Sequence, residues 1–343
     1  MGRWYIDKGP ESDVVISSRV RLARNFRKYP FPSKLDKEQG GRVLEEVKDA
    51  VFNSNSTLAG DVTFIDIKAL NPIEKQSLVE KHLISPELAE NGRESGLLIS
   101  RDEKISIMIN EEDHLRIQCM FSGMQISDAW KLCNNIDLLL ESKIDFAFSR
   151  QYGYLTCCPT NIGTGIRASV MLHLPGLVMT GYIKGILEAC GKLGVAVRGI
   201  YGENSYASGN MFQISNQVTL GQKEDEIVTG VTNIASQIIE QERMLRAELH
   251  RQNPYRFEDK IYRSFAVFSS ARIISYEESL KLISDVRLGL DMGIIKGISI
   301  ETLNEIMLLI QPASLQKTAG SVLGPDERDI KRAEIIRNKL KVN

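Results

Sequence analysis

Arginines are spaced along this chain in a way that suits the handling of phosphate. Arg19, Arg21 and Arg24 recur in SSRVRLARN (17–25), Arg116 closes NEEDHLR (110–116), Arg167 follows CPTNIGTG (158–165), and Arg198 opens RGIYGE (198–203). Two or three of these would be ordinary surface residues. Five on the polar faces of strands, beside glycine-rich turns, suggest a cradle for a polyphosphate, because guanidinium forks match phosphate oxygens. Acids supply a second chemistry. Glu111, Glu112 and Asp113 stand in a row just before Arg116, and Glu203 ends the RGIYGE run. Three consecutive acids are more often a solvated turn; next to a base they form a salt bridge or a site. In CPTNIGTG, Gly163 and Gly165 let the backbone approach a ligand or take positive φ. Cys158 has two readings there, a small buried apolar residue or a reactive thiol.

The elements that must position these residues can be read from periodicity. Leu115, Ile117, Cys119 and Phe121 alternate with Arg116, Gln118, Met120 and Ser122, which is a strand with Arg116 on the face opposite its apolar set. In 167–174, Arg167, Ser169, Met171 and His173 share one face and Ala168, Val170, Leu172 and Leu174 the other. Arg19 and Arg21 point the same way if their segment is extended. Strands are also expected at 97–99, 105–109, 145–149, 154–158, 195–201 and 209–216. Helices are expected at 34–53, 72–83, 126–143, 176–193 and 223–251. After Pro254 the pattern becomes helical through 310, then a small-residue linker at 312–324 and a charged helix at 325–341. The class is α+β: a mixed sheet domain, largely antiparallel, over 1–254, followed by an all-helical domain over 255–343.

Composition narrows the possibilities. The chain has 343 residues, 43% hydrophobic and 25% charged, the values of a globular protein. Lys plus Arg (43) nearly cancel Asp plus Glu (44), which argues against general nucleic-acid affinity. No apolar run is long enough for a membrane span and the start has no export stretch, so a soluble, cytoplasmic protein is expected. Five cysteines form no CxxC pair and four histidines lie far apart, so no zinc site can be read. Nor does any GxxxxGK[ST], GxGxxG or HExxH occur.

In order and spacing, SSRVRLARN, NEEDHLR, CPTNIGTGIRAS (158–169) and RGIYGE resemble the phosphagen kinase family, and within it the bacterial protein arginine kinases of the McsB type. The likeness runs through residues 12–250 and implies an antiparallel sheet flanked by helices. It also implies transfer of the ATP γ-phosphoryl group to a guanidinium nitrogen. Ser17, Ser18, Arg19, Val20, Arg21, His82, Arg116, Arg167, Ala168, Ser169, Val170, Met171, Arg198, Gly199, Ile200, Tyr201, Gly202 and Glu203 would line the nucleotide. Mg²⁺ would be held by phosphates and water, with no metal ligand from the protein. Arg19, Arg21, Arg116, Arg167 and Arg198 would be the phosphate clamps, with Arg116, Arg167 and Arg198 also catalytic. A guanidinium with pKa about 12.5 or higher costs at least about 7 kcal/mol to deprotonate at pH 7. The resemblance therefore gives Glu112 the role of general base, Glu203 that of a second clamp, and Cys158 that of tuning the acceptor.

Two departures from the small-guanidine kinases bear on the acceptor. Those enzymes carry a helical domain before the SSRVR-like motif, which here begins at residue 17, and they lack the helical region found here after 254. Tyr201 stands where kinases of free arginine carry a further Arg. The site is thus expected to be open enough for an arginine on a protein surface. In the tail, Arg328, Asp329, Ile330, Lys331, Arg332 and Ala333 match an RDxxRA motif that in this branch forms an allosteric phosphoarginine pocket. Without the resemblance it would be a charged helix face. Partners implied in the same way are a CtsR-like repressor as substrate, an McsA-type activator and a ClpC-type unfoldase working with ClpP. A homodimer or higher oligomer and a role in stress response are implied too. Two further readings stand beside this one. The chain could be a kinase of free arginine or another small guanidino compound, or a non-catalytic phosphoarginine-binding adaptor. Retention of Glu112, Glu203 and every clamp arginine counts against the adaptor.

Overall fold

A computed structural model of the chain describes residues 3–199 and 208–340. Its frame is an eight-stranded sheet in which every neighbouring pair is antiparallel. The first strand, β1 (Val15–Arg24), lies at its centre. Helices α1 (Lys37–Phe52) and α2 (Thr57–Asp61) lead to the edge strand β2 (Val62–Asp66). Two short helices follow, α3 (Pro72–Glu80) and α4 (Pro86–Glu90), then strands β3 (Gly96–Ser100), β4 (Ile105–Ile109) and β5 (Leu115–Ser122). Next come α5 (Ile126–Glu141), the small hairpin β6 (Phe148–Ser149) and β7 (Gly153–Tyr154), and β8 (Ile166–His173). Helices α6 (Pro175–Thr180) and α7 (Ile183–Lys192), strands β9 (Val195–Gly199) and β10 (Met211–Asn216), and the long α8 (Glu224–Gln252) complete this part. The strand order is β2-β3-β4-β5-β1-β8-β10-β9.

Strand alternation divides the sheet into two unlike faces. Val20, Leu22, Ile117, Cys119, Ile166, Ala168, Val170 and Ile214 are buried and pack on one side against residues of α1, α5 and α8, such as Val47, Cys133, Val231 and Ala235. The other face carries Arg19, Arg21, Arg116, Gln118, Arg167 and Ser169, brought together by register: Arg21 sits between Gln118 and Arg167, and Arg19 between Met120 and Ser169.

The remaining helices form a second core. These are α9 (Pro254–Ser270), α10 (Tyr276–Asp291), α11 (Ile300–Leu309), α12 (Pro312–Ala319) and α13 (Pro325–Lys339). Phe257, Ile261, Phe268, Ile283, Leu303, Ile306, Ala333 and Ile336 fill it. Asn253 caps α9 by accepting from the Arg256 amide, and Pro254 takes the first-turn position where its missing N–H costs nothing. The seam with the sheet is polar. Arg287 donates to the Ser12 carbonyl (2.8 Å), His173 Nε2 lies 2.8 Å from Ser284 Oγ, and Asn210 also donates to Ser284 Oγ (2.8 Å).

Several elements depart from their expected form. The 176–193 helix is two, broken at Gly181, whose φ of 79° ends α6 in the left-handed region. The linker at 312–324 contains a true helix, α12, started by Pro312 and stopped by Gly320. Small residues hid its amphipathic face. The expected elements do not include strand β2, and 145–149 and 154–158 shrink to a hairpin of two strands of two residues each. The first helix begins at Lys37, after an Asp36 capping box. Among the described residues no helix is long and apolar enough to cross a membrane.

Candidate active site

A cleft of about 1070 Å³ lies over the polar face of the sheet, with helices of the C-terminal region on its far side. Arg19 and Arg21 from β1, Arg116 and Gln118 from β5, and Ser169 and Met171 from β8 line it, together with Ser17, His82, Glu111 and Glu112. With Arg167, which pairs with Arg21 on the same face of the sheet but does not itself line the cleft, four guanidinium groups crowd one surface. Burial lowers the Arg19 pKa to about 10, with Arg116 and Arg167 adding repulsion. Arg21 is driven down further by burial and then by Arg19, Arg116 and Arg167. Arg167 is lowered by burial and by Arg198 beside it. Like charges held together at the base of a cleft are costly in the free protein, and a polyanion relieves that cost.

At one end of this floor the NEEDHLR turn supplies the carboxylates. Asn110 takes positive φ (57°) and its Nδ2 donates to the carbonyls of Gly40 (3.0 Å) and Glu94 (2.7 Å), which fixes the turn. Arg116 forks across two acids: Nη1 is 2.8 Å from Glu111 Oε1 and Nη2 is 3.0 Å from Glu112 Oε2. Glu111 is buried and also accepts from Ser85 Oγ (2.5 Å) and from the Glu112 amide (2.8 Å). Glu112 is the freer of the two, with its side chain 40% exposed. Burial pushes its carboxyl above the usual range, Arg116 opposes that, and Asp113 and Glu111 reinforce it. A carboxylate with a raised pKa, open to the cleft, is suited to accept a proton.

The third acid has a different task. Asp113 is buried, and its Oδ1 accepts from Asn25 Nδ2 (2.6 Å) and from the Cys157 amide (2.7 Å). It thereby ties SSRVRLARN and NEEDHLR to the residue just before CPTNIGTG. Gly165 explains its own place: a Cβ there would lie 2.6 Å from Arg24 Nη1 and 2.7 Å from the Ala23 carbonyl. Arg24 is not in the cleft. It is buried, pairs with Asp137 (2.6 Å), donates to Thr164 and Ala23 carbonyls (both 2.9 Å), and stacks 3.5 Å from the Tyr154 ring centroid. Cys158 is half-buried, with Sγ 3.0 Å from Thr160 Oγ1.

Not every residue named from sequence reaches the cleft. Register places Ser18, Val20, Ala168 and Val170 on the core face; Ser18 Oγ donates to the Gly123 carbonyl (2.8 Å). Ile200, Tyr201, Gly202 and Glu203 lie outside the described residues, while Arg198 and Gly199 end β9 in register with Gln213 and Phe212. His82 lines the cleft at the end of α3; its φ is 57° and its carbonyl accepts from Gln118 Nε2 (2.7 Å). In the tail, Arg332 turns inward. It donates to the Ile310 (2.9 Å) and Ile274 (3.0 Å) carbonyls and pairs with Asp329, and Ala333 is buried. Arg328 and Lys331 are half-buried and Ile330 is exposed on the opposite side. Sequence reading missed Glu111 as the anchor of Arg116, and Gln118 and Gln213 as lining residues. Period-two spacing from Arg116 already marked Gln118.

Comparison with known proteins agrees with this geometry. The family model described as ATP:guanido phosphotransferase, C-terminal catalytic domain, matches residues 42–245, and the model described as Protein-arginine kinase McsB C-terminal domain matches residues 254–343. The chain is 49% identical over 340 residues to the protein-arginine kinase of Bacillus subtilis (strain 168), covering 99% of this chain and 93% of that one. It is 50% identical over 342 residues to that of Bacillus pumilus (strain SAFR-032), covering 100% and 94%. Among solved structures, the duplicated taurocyamine kinase from Schistosoma mansoni with bound transition state analog components superposes with a TM-score of 0.61 at 27% identity, covering 68% of this chain and 33% of that one. Lombricine kinase superposes with a TM-score of 0.62 at 23% identity, over 70% of this chain and 69% of its own, a likeness of fold.

Proposed function

Because the chain belongs to the ATP:guanido phosphotransferase family, in its protein-arginine kinase branch, we propose that it phosphorylates arginine side chains of proteins with ATP. The single observation that carries this reading is the pairing of a guanidinium-lined floor with Glu112 at its end. Arg19, Arg21, Arg116, Arg167 and Arg198 hold the nucleotide's phosphates and meet the charge that grows in a loose phosphoryl-transfer transition state. The acceptor guanidinium enters beside Glu112. As the N–P bond forms and the bond from Pγ to the bridging oxygen breaks, Glu112 takes the proton from the attacking nitrogen and ADP leaves. Glu203 and Cys158 orient the acceptor. The carboxylates at the cleft end are engaged by Arg116, so Mg²⁺ would be carried by the phosphates and water. When bound it neutralises phosphate charge.

Residues 1–254 form the catalytic part of this reading and 255–343 a helical part with the phosphoarginine motif at Arg328, Asp329 and Arg332. The likeness to the McsB C-terminal domain supports the second. The proposed setting is the cytoplasm, as an oligomer, with a CtsR-like repressor as substrate, an McsA-type activator, and modified proteins passed to ClpC–ClpP. The decisive experiment is mass spectrometry of an arginine-rich protein after incubation with the chain and ATP, kept out of acid because the P–N bond is acid-labile. Phosphoarginine on that protein is the expected result. Turnover of free arginine alone would return the small-guanidine reading, and no turnover with either would return the adaptor.

A further inference from the structure

Helix α11 has two apolar stripes. Leu303, Ile306 and Ile310 enter the helical core, against which Met307 also packs, while Asn304, Met307, Leu308 and Gln311, at i, i+3, i+4 and i+7, line the cleft. The polar ends of the second stripe are tied to the catalytic part. Asn304 Nδ2 donates to the Ile6 carbonyl (3.0 Å) and Gln311 Nε2 to the Glu80 carbonyl (3.3 Å). The Glu80 carboxylate in turn accepts from the Ala313 amide (2.6 Å), the Ser314 amide (2.8 Å) and Ser314 Oγ (2.8 Å). The first turn of α12 is therefore capped by a residue of the other domain, a few positions before His82. Between these ties Met307 and Leu308 are half-buried and face the cleft.

Strand register orders the floor of the cleft. Arg21, Arg116 and Arg167 gather at one end. Ser17 lies four residues from Arg21 along β1, about 13 Å away, and pairs with Met171. Met211 pairs with His173, where α10 covers the sheet through Ser284. Met171, Met211, Met307 and Leu308 all line the cleft beyond the arginines, so a polyphosphate seated there directs the rest of its nucleoside toward them. Their thioethers and aliphatic groups suit a flat heteroaromatic ring.

We propose that Met307 and Leu308 form one wall of the nucleobase subsite, which makes the C-terminal helical domain an integral part of nucleotide binding. This rests on the nucleotide reading of the cleft, and the test separates the two. Titration calorimetry on the full chain compares ADP with inorganic tripolyphosphate, which has the phosphates and no base. The double variant Met307→Ala/Leu308→Ala should weaken ADP about tenfold, as loss of buried apolar contact does, and leave tripolyphosphate unchanged. Leu308→Met, which keeps the volume, should bind ADP like the parent chain. Equal weakening of ADP and tripolyphosphate would make the wall a support of the fold only and overturn the proposal, as would unchanged ADP binding. A parent chain that binds tripolyphosphate as tightly as ADP has no base subsite at all. One that binds neither refutes the nucleotide reading itself.

Discussion

The arginines of the cleft and those of the scaffold are the same residue in opposite circumstances. Arg24, Arg246 and Arg332 are buried, and each is matched with a carboxylate and with backbone carbonyls: Arg24 with Asp137, Arg246 with Glu242 (2.6 Å), Arg332 with Asp329. Arg19 and Arg21 face chiefly arginines, and burial first, then the like charges of Arg116 and Arg167, lowers their pKa values. A folded chain keeps a buried charge by pairing it. Arg116 has Glu111 and Glu112, but Arg19 and Arg21 have no ion pair among the described residues, and they mark the place where the missing partner is a ligand.

The largest expected effect falls on the carboxylate beside that unmatched cluster. Glu112→Gln keeps the shape and removes the proton acceptor, so phosphorylation should fall by about 10²–10⁴ with ATP still bound. Turnover within threefold of the parent would remove Glu112 as base. The same raised pKa sets the pH dependence. Activity needs the carboxylate, so it should decline as pH falls through a value above the usual glutamate range, and Glu112→Gln should lose that limb of the profile.

Next are the cleft arginines. Arg116→Ala and Arg167→Ala should lower kcat by about 10²–10³, the scale of losing one preorganised charge, and weaken ATP binding less. An effect on KM alone would make them simple holders of ATP, and the contrast with scaffold arginines would lose its catalytic half.

Arg24→Ala tests the scaffold half. It leaves Asp137 buried and unpaired, so denaturant unfolding should show a loss of about 3–5 kcal/mol. Enzyme that remains folded should keep near-normal ATP affinity. A stable variant that failed to bind ATP would put Arg24 with the ligand-facing group.

The smallest effect on basal rate is expected in the tail. Asp329→Ala should lower phosphoarginine affinity and flatten the response to added product while measurable phosphorylation persists, because an effector acts only through differential binding to two states. Calorimetry with phosphoarginine, with and without an ATP analogue, reads both. Unchanged phosphoarginine binding would return Arg332 and Asp329 wholly to the scaffold, where the Ile310 and Ile274 carbonyls already place the guanidinium.

Much of this was legible because a strand announces its faces. Alternation in 115–122 and 167–173 separated Arg116 and Arg167 from the core, and the register confirmed it by setting Arg21 beside Arg167. What stayed hidden depended on partners distant in sequence. Nothing in SSRVRLARN distinguishes Arg24 from Arg21 until Asp137 and the Thr164 carbonyl are in place. The helix at 312–319 lacked a strong stripe because part of its stability comes from Glu80, a residue more than two hundred positions earlier. Gly181 was invisible as a break inside an otherwise helical run, since only its positive φ ends α6. Motif likeness named Ser18 and Val20 together with Arg19, yet a strand can turn only alternate residues to a ligand.

Asp113 has a consequence for when in its life the chain can act. Its bonds reach back 88 residues to Asn25 and forward 44 to Cys157, so the β4–β5 hairpin that carries Glu112, although closed by its own Asn110–His114 and Glu111–Asp113 backbone bonds, is set in place by segments far off in sequence. During synthesis the amino-terminal strands leave the ribosome long before β8 supplies Arg167, and α11 emerges later still. A growing polypeptide thus holds Glu112 for most of its translation without the surroundings that would make it a base. Contacts of such long range also form slowly. On the proposed reading, a newly made chain gains its full site only once β8 has joined the sheet.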